Sequence, residues 1–253
     1  MTPKLDRALL AAGILNFVAL VPVLFLMQTD ERTLLGINVW IKPAKFLLSV
    51  GIYLATLAWL LPRVDIGRAL RVVLRWAFIL TMIGENVLIT MQAWRGVTSH
   101  FNETTTFDGA VFSAMGTMIA VNTIAALVLL ILFVFVPRQP LPRAVLAGIR
   151  FGLLLFLVAS GVGGMMVGQH AHAVGVPDGG PGLPFVNWST EGGDLRIAHF
   201  IGLHALQGLP LLGWIVGRKS PTAGVTAVHI AAAVWAVVFG WTLYQALGGR
   251  AFL

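Results

Sequence analysis

Cysteine is absent from the 253-residue chain, and charge is scarce, with Asp, Glu, Lys and Arg together making up 11% of it. Without cysteine there are no disulfides, no thiolate metal ligands and no iron–sulfur clusters. A soluble domain carries nearer ~25% charge, so these residues do not supply the surface that a water-soluble protein of this size needs. Nothing near the N-terminus reads as a removable leader. Lys4 and Arg7 precede an apolar stretch from Ala8 to about Gln28 with no small-residue cleavage site behind it, so this stretch is expected to stay as an anchor.

Hydrocarbon fills the chain instead, at 58% hydrophobic residues and a mean hydropathy of +0.88. Stretches of about 20 apolar residues recur, the length that crosses a bilayer as a helix. Seven segments stand out: residues 8–28, 37–61, 69–93, 108–136, 144–168, 195–217 and 223–247. Turn chemistry in "LPRVDIGR", "VPRQPLPR" and "GRKSPTAG" separates several of them. The expected fold is all-α, a polytopic transmembrane helix bundle of about seven spans in a single domain over residues 1–253. A six-span alternative makes the polar second segment a re-entrant hairpin.

The net charge of +7 does not point to nucleic acid, because the basic residues are spread through short loops between apolar spans. One side of the membrane receives eleven of them: Lys4, Arg7, Arg63, Arg68, Arg71, Arg75, Arg138, Arg143, Arg150, Arg218 and Lys219. The other receives six: Arg32, Lys42, Lys45, Arg95, Arg196 and Arg250. The positive-inside rule then predicts a cytoplasmic N-terminus and an outside C-terminus, in what is expected to be a bacterial inner membrane. Residues 169–194, rich in Gly and Pro and carrying Trp188, form the longest outer loop, a length more typical of a lid or binding loop than of a plain connector.

Polar residues inside the spans are costly, about 2.5–3.5 kcal/mol for an ionisable group at mid-membrane. At ~1.5 Å per residue, Glu85 lies roughly 12 Å and His204 roughly 14 Å below the outer end. Phase aligns them with polar neighbours. Asn38, Lys42, Lys45, Ser49 and Thr56 share one face of the second span; Met82, Glu85, Ile89 and Gln92 form a stripe in the third. Asp108, Met115, Met118 and Asn122 stack in the fourth, and Arg196, His199, Leu203, His204 and Gln207 share an arc of the sixth. Four stripes concentrated toward one end predict a shared cavity open outward. The inner halves read as almost purely apolar, with Asn122, Thr56 and His229 as the polar exceptions. Ser160, Gly164 and Gly168, at four-residue spacing, predict close helix packing.

Imidazole and carboxylate without thiolate is the ligand set of zinc, non-haem iron, manganese or copper. His199, His204, His170 and His172 are the candidate metal ligands. Glu85, His100, Asp194 and Arg196 are the candidate catalytic groups, with Asp194 expected to orient a histidine. Lys42, Lys45, Gln92, Arg95 and Gln207 are expected to bind a cofactor or substrate. Methionines in the middle and outer parts of the spans admit Cu(I); a haem b would take His170 with His199 as axial ligands. The expected activity is metal- or haem-assisted redox or hydrolytic chemistry on a small or lipidic substrate, with a second copy of the chain or a membrane redox partner as protein partner. The competing expectation is a proton-coupled transporter of a small anion that uses Lys42, Lys45 and Glu85, with Pro43 breaking its helix.

Overall fold

The computed structural model describes residues 5–136 and 140–252. Lys4 and Arg138, counted above for orientation, lie outside the described residues. Among the described residues, seven helices are long and apolar enough to cross a membrane: α1 (Arg7–Thr29), α2 (Ile41–Leu60), α3 (Arg68–Arg95), α4 (Thr106–Phe135), α5 (Arg143–Gln169), α6 (Leu195–Gly217) and α7 (Pro221–Leu247). The chain is an all-α integral membrane protein, and its second segment is a full helix, extended by a 3-10 turn over Leu61–Arg63. Among the described residues, sheet is confined to two small ribbons, β1 (Thr33–Leu34) with β2 (Ile37–Asn38) and β3 (Ala173–Val174) with β4 (Gly193–Asp194), both antiparallel.

The first ribbon shortens the second span. Leu35 and Gly36, both at positive φ, make the two-residue turn that a right-twisted hairpin favours. Asn38 therefore sits in a strand rather than at the head of the α2 stripe, which begins at Lys42. Pro43 is the third residue of α2, within the first turn, where a backbone N–H has no helical partner to lose. It does not break the helix.

By internal contacts the chain forms two compact units, Met1–Ala125 and Ala126–Leu253. In the first, α1, α2 and α3 pack on one another. Asp6 caps α1 by accepting from Leu9 N at 3.3 Å, and Arg75 of α3 donates its Nε to both Asp6 oxygens at 2.8 and 3.0 Å. At the other end Asp30 accepts from Arg32 and from Trp40 Nε1, and Arg32 also donates to Trp94 O at the end of α3. The Arg32 guanidinium, then the Trp40 indole, hold the Asp30 carboxyl far below the usual carboxylate range.

In the second unit α6 packs against both α5 and α7. A Cβ at Gly148 would lie 2.5 Å from Leu209 O, and one at Gly152 would lie 2.7 Å from Ala205 O. These two glycines let the α5 and α6 backbones touch, as small residues do between membrane helices. The expected packing series Ser160, Gly164 and Gly168 is not that contact: nothing lies within 4 Å of a Cβ at Gly164 or Gly168. Ser160 instead donates to Phe156 O in its own helix.

Candidate functional site

Each unit holds its own polar cluster. The α2, α3 and α4 stripes belong to the first unit and the α6 stripe to the second.

In the first unit Lys42, the second residue of α2, donates through Nζ to His100 Nδ1 at 3.1 Å. Ser99 Oγ lies at the same distance from that nitrogen. An ammonium only donates, so Nδ1 accepts and the neutral imidazole carries its proton on Nε2. Phe46, Phe101 and Phe112 surround the His100 ring at centroid distances of 6.1, 6.0 and 6.4 Å. Lys45, half-buried, follows one turn deeper on α2.

Glu85 lies ~15 Å from the C-terminal end of α3, counting its ten-residue offset from Arg95 at the helical rise. Four residues on, Ile89 packs with Val111 and Met115 of α4 and Phe46 of α2, which turns the Glu85 face toward those helices. The residue is 1% exposed, and neither carboxyl oxygen has a hydrogen-bond partner among the described residues. Lys42 is the positive charge acting on it. Buried polar side chains are normally satisfied, so this carboxyl is an exception. The methionines nearby serve packing: Met91, Met115 and Met118 belong to the same apolar cluster as Ile89.

Gln92 and Arg95, by contrast, are fully committed. Asp108, 2% exposed, accepts from Gln92 Nε2 at 2.8 Å, from Arg95 Nη1 at 2.5 Å and from Thr105 Oγ1 at 2.7 Å. Thr105 Oγ1 in turn accepts from Asp108 N, the side-chain N-cap that starts α4. These groups tie α3 to α4.

Polar groups also continue beside and beyond Glu85 in this unit. Asn86 donates to Asn16, which donates to Ala12 O. Tyr53 donates to Asn122 at 3.3 Å. Asn16, Tyr53, Thr81, Asn86 and Asn122 are all buried. Asn16 and Asn86 lay outside the stripes read from the sequence: Asn16 stands alone among apolar residues of α1, and Asn86, next to Glu85 in the chain, points ~100° away from that stripe.

In the second unit His199 donates Nδ1–H to Ala159 O of α5 at 2.7 Å, its ring lying over Gly163. His204 donates Nδ1–H to Phe200 O at 2.8 Å, one turn back in its own helix. A carbonyl only accepts, so in both neutral rings Nε2 is the bare acceptor. His229 makes the same bond to Val225 O on the exposed side of α7, so the His204 pattern is a general way to seat an imidazole in a span. Gln207 is half-buried one turn below His204.

His170 is exposed and ends α5 at φ 53°, while His172 lies in the loop beyond it. The carboxylate that orients a histidine is Asp178, whose Oδ2 lies 2.8 Å from His172 Nδ1. Burial pushes the Asp178 carboxyl up, but hydrogen bonds from the His172 side chain and from the backbone N–H of His172 and Ala173 outweigh it and hold it well below the usual range. Asp194, expected in that role, is instead paired with Arg196, caps α6 through Arg196 N and accepts from Ser189 N. Arg196 also donates to Asn187 O. Both are thereby engaged in holding the loop to α6.

His172 and His204 are close enough to act electrostatically on His199. Among the described residues, however, no three His, Asp or Glu side chains converge as a metal site would require. Compared with known protein families, curated proteins and solved structures, the chain matches none.

Proposed function

We propose that this chain is a proton-coupled membrane carrier of a small anion, with Glu85 as the proton-binding group and Lys42 and Lys45 as the cationic groups that meet the anion. The observation that carries this is the Glu85 carboxyl, 1% exposed and without a hydrogen-bond partner, in the unit that also holds Lys42 within electrostatic reach of it. With Glu85 ionised, the two lysines and the carboxylate sum to +1. Taking up one proton and one anion leaves that sum unchanged, so loading adds no net charge to the low-dielectric interior. The basic-residue bias puts this end of the unit on the outside. Buried Asn16, Tyr53 and Asn122, deeper in the same unit, support a route onward rather than a one-sided pocket.

The test is uptake into sealed vesicles, with internal pH followed by an entrapped dye. Inorganic phosphate and methanesulfonate are suitable probes, since neither leaks through lipid as a neutral acid. Anion-dependent proton entry that Glu85→Gln abolishes supports the carrier. Entry that is unchanged in Glu85→Gln, or absent for every anion tried, refutes it.

One observation favours a second reading, metal- or haem-assisted chemistry in the second unit. His199 is oriented by a carbonyl of a neighbouring helix, and His172 by a carboxylate, as ligating histidines are. A Soret band or a stoichiometric metal in the purified protein, lost in His199→Ala, would establish it. A colourless, metal-free folded protein would end it.

A further inference from the structure

The loop between α5 and α6 ends in a hairpin whose tip is apolar and fixed. Gly182 and Ser189 pair across it, Leu183 N donates to Trp188 O at 2.8 Å and Asn187 N to Leu183 O at 2.8 Å. At the tip Val186 N donates to Pro184 O at 2.7 Å across Phe185, which sits at φ 65°. That is a γ-turn of the rare positive-φ form, which a bulky residue adopts only where its surroundings enforce it. The enforcement is visible. Arg196 donates to Asn187 O, and Asp194, 1% exposed, accepts from Ser189 N and from Arg196, so the hairpin's return strand is bolted to the first turn of α6.

This rigid mounting presents Phe185 outward, 48% exposed. From Pro181 to Thr190 the segment carries no charge. Its neighbour gives the level at which it sits. Trp188 packs edge-on against Phe200 at 5.6 Å. Phe200 is 47% exposed and lies five residues into the α6 span, ~7.5 Å along its axis. A side chain that covers the exposed flank of a spanning helix at that depth is already at bilayer level, where tryptophan is favoured.

We infer that the 181–189 hairpin is an interfacial wedge, inserting Phe185 and its apolar neighbours into the headgroup–acyl boundary beside α6. The occupant of its exposed face is lipid. Absence of charge, the tryptophan girdle position and mounting on a span all match a bilayer surface rather than water.

The cysteine-free chain makes the test direct. In full-length protein reconstituted into phosphatidylcholine–phosphatidylglycerol vesicles, single nitroxide labels are placed by Phe185→Cys and, as a second reporter in case the first perturbs the turn, Pro184→Cys. Val237→Cys, on the exposed side of α7, reports lipid; Gly180→Cys, in the polar part of the loop, reports water. Power saturation should show labels 184 and 185 several-fold more accessible to oxygen than to a water-soluble nickel chelate, as at 237. Nickel accessibility resembling that at 180 would place the tip in water. Shielding from both collision partners would mean that protein covers it. Either result overturns the wedge.

Discussion

Replacing Glu85 by leucine separates a ligand-binding carboxyl from a structural one by the sign of a stability change. Both oxygens are buried and accept no hydrogen bond from the described protein groups, so the substitution removes no such bond. A buried polar group without a partner costs about 1–3 kcal/mol, and more if charged. Leucine has similar bulk and no such penalty. Against this stands Lys42, which loses an opposing charge. Lys42 is only half-buried, one residue into α2, and is already held by His100, so its head reaches the interface at modest cost. The net expectation for Glu85→Leu is a gain of ~1–2 kcal/mol, or a rise of several degrees in the unfolding midpoint at ~2–4 °C per kcal/mol for a chain of this size. Tryptophan fluorescence during thermal unfolding in a fixed detergent measures it. If Glu85 instead completes a buried ion pair, removing it costs about 3–5 kcal/mol and the midpoint falls. A falling midpoint would refute the premise that this carboxyl is unpaid for by the fold. A rise accompanied by lost proton-coupled uptake is the expected pattern of a residue kept for function against stability.

The Arg95–Asp108 pair should be asymmetric. Arg95→Met strands a carboxylate that is 2% exposed, whereas Asp108→Leu frees an Arg95 side chain that is 35% exposed and can return to water. Arg95→Met should therefore be the more destabilising, by ~1–2 kcal/mol, in the same unfolding assay; equal or reversed losses would show that Asp108 is not held as described. Asp178 gives a pH dependence. Its folded-state carboxyl lies below the ordinary 3.8, so its hold on residues 172–173 is complete above that value and is lost as pH falls below it. Hydrogen exchange at the amides of His172 and Ala173 should accelerate below about pH 4 beyond its intrinsic rate in the wild type, and should already be fast at pH 7 in Asp178→Asn. An unchanged ratio between the two proteins across that range would remove the assignment.

The seven spans were legible because bilayer thickness fixes both their length and their hydropathy, and no tertiary detail is needed to satisfy either. The start of α2 was not, because Leu35–Gly36 turns the chain through a hairpin made of residues apolar enough to pass for membrane. Glycine spacing misled in α5 for a related reason. Gly148 and Gly152 share the spacing of Ser160, Gly164 and Gly168, and only the position of α6 decides which set becomes the contact. Carboxylate partners were equally hidden. Asp178 and Asp194 are both flanked by glycine, yet one orients His172 while the other closes on its neighbour Arg196, a choice made by loop geometry.

A distinction the sequence could not draw is that between polar residues the fold completes and those it does not. Asp6, Asp108 and Asp194 each meet an arginine, and Asn16 accepts from Asn86; for these four, burial in hydrocarbon is offset by partners supplied within the same unit, while Asn86 keeps its own Oδ1 without a partner. Helical phase placed Glu85 on a polar stripe just as it placed Gln92, and gave both the same standing. Gln92 turns out to be a brace between α3 and α4, whereas Glu85 has a nearby lysine and no donor. Neighbouring hydrocarbon offers nothing that would retain a carboxylic acid there, and the proposed proton-binding role supplies a reason for its retention. The proposed proton chemistry therefore rests on Glu85 and not on the whole stripe.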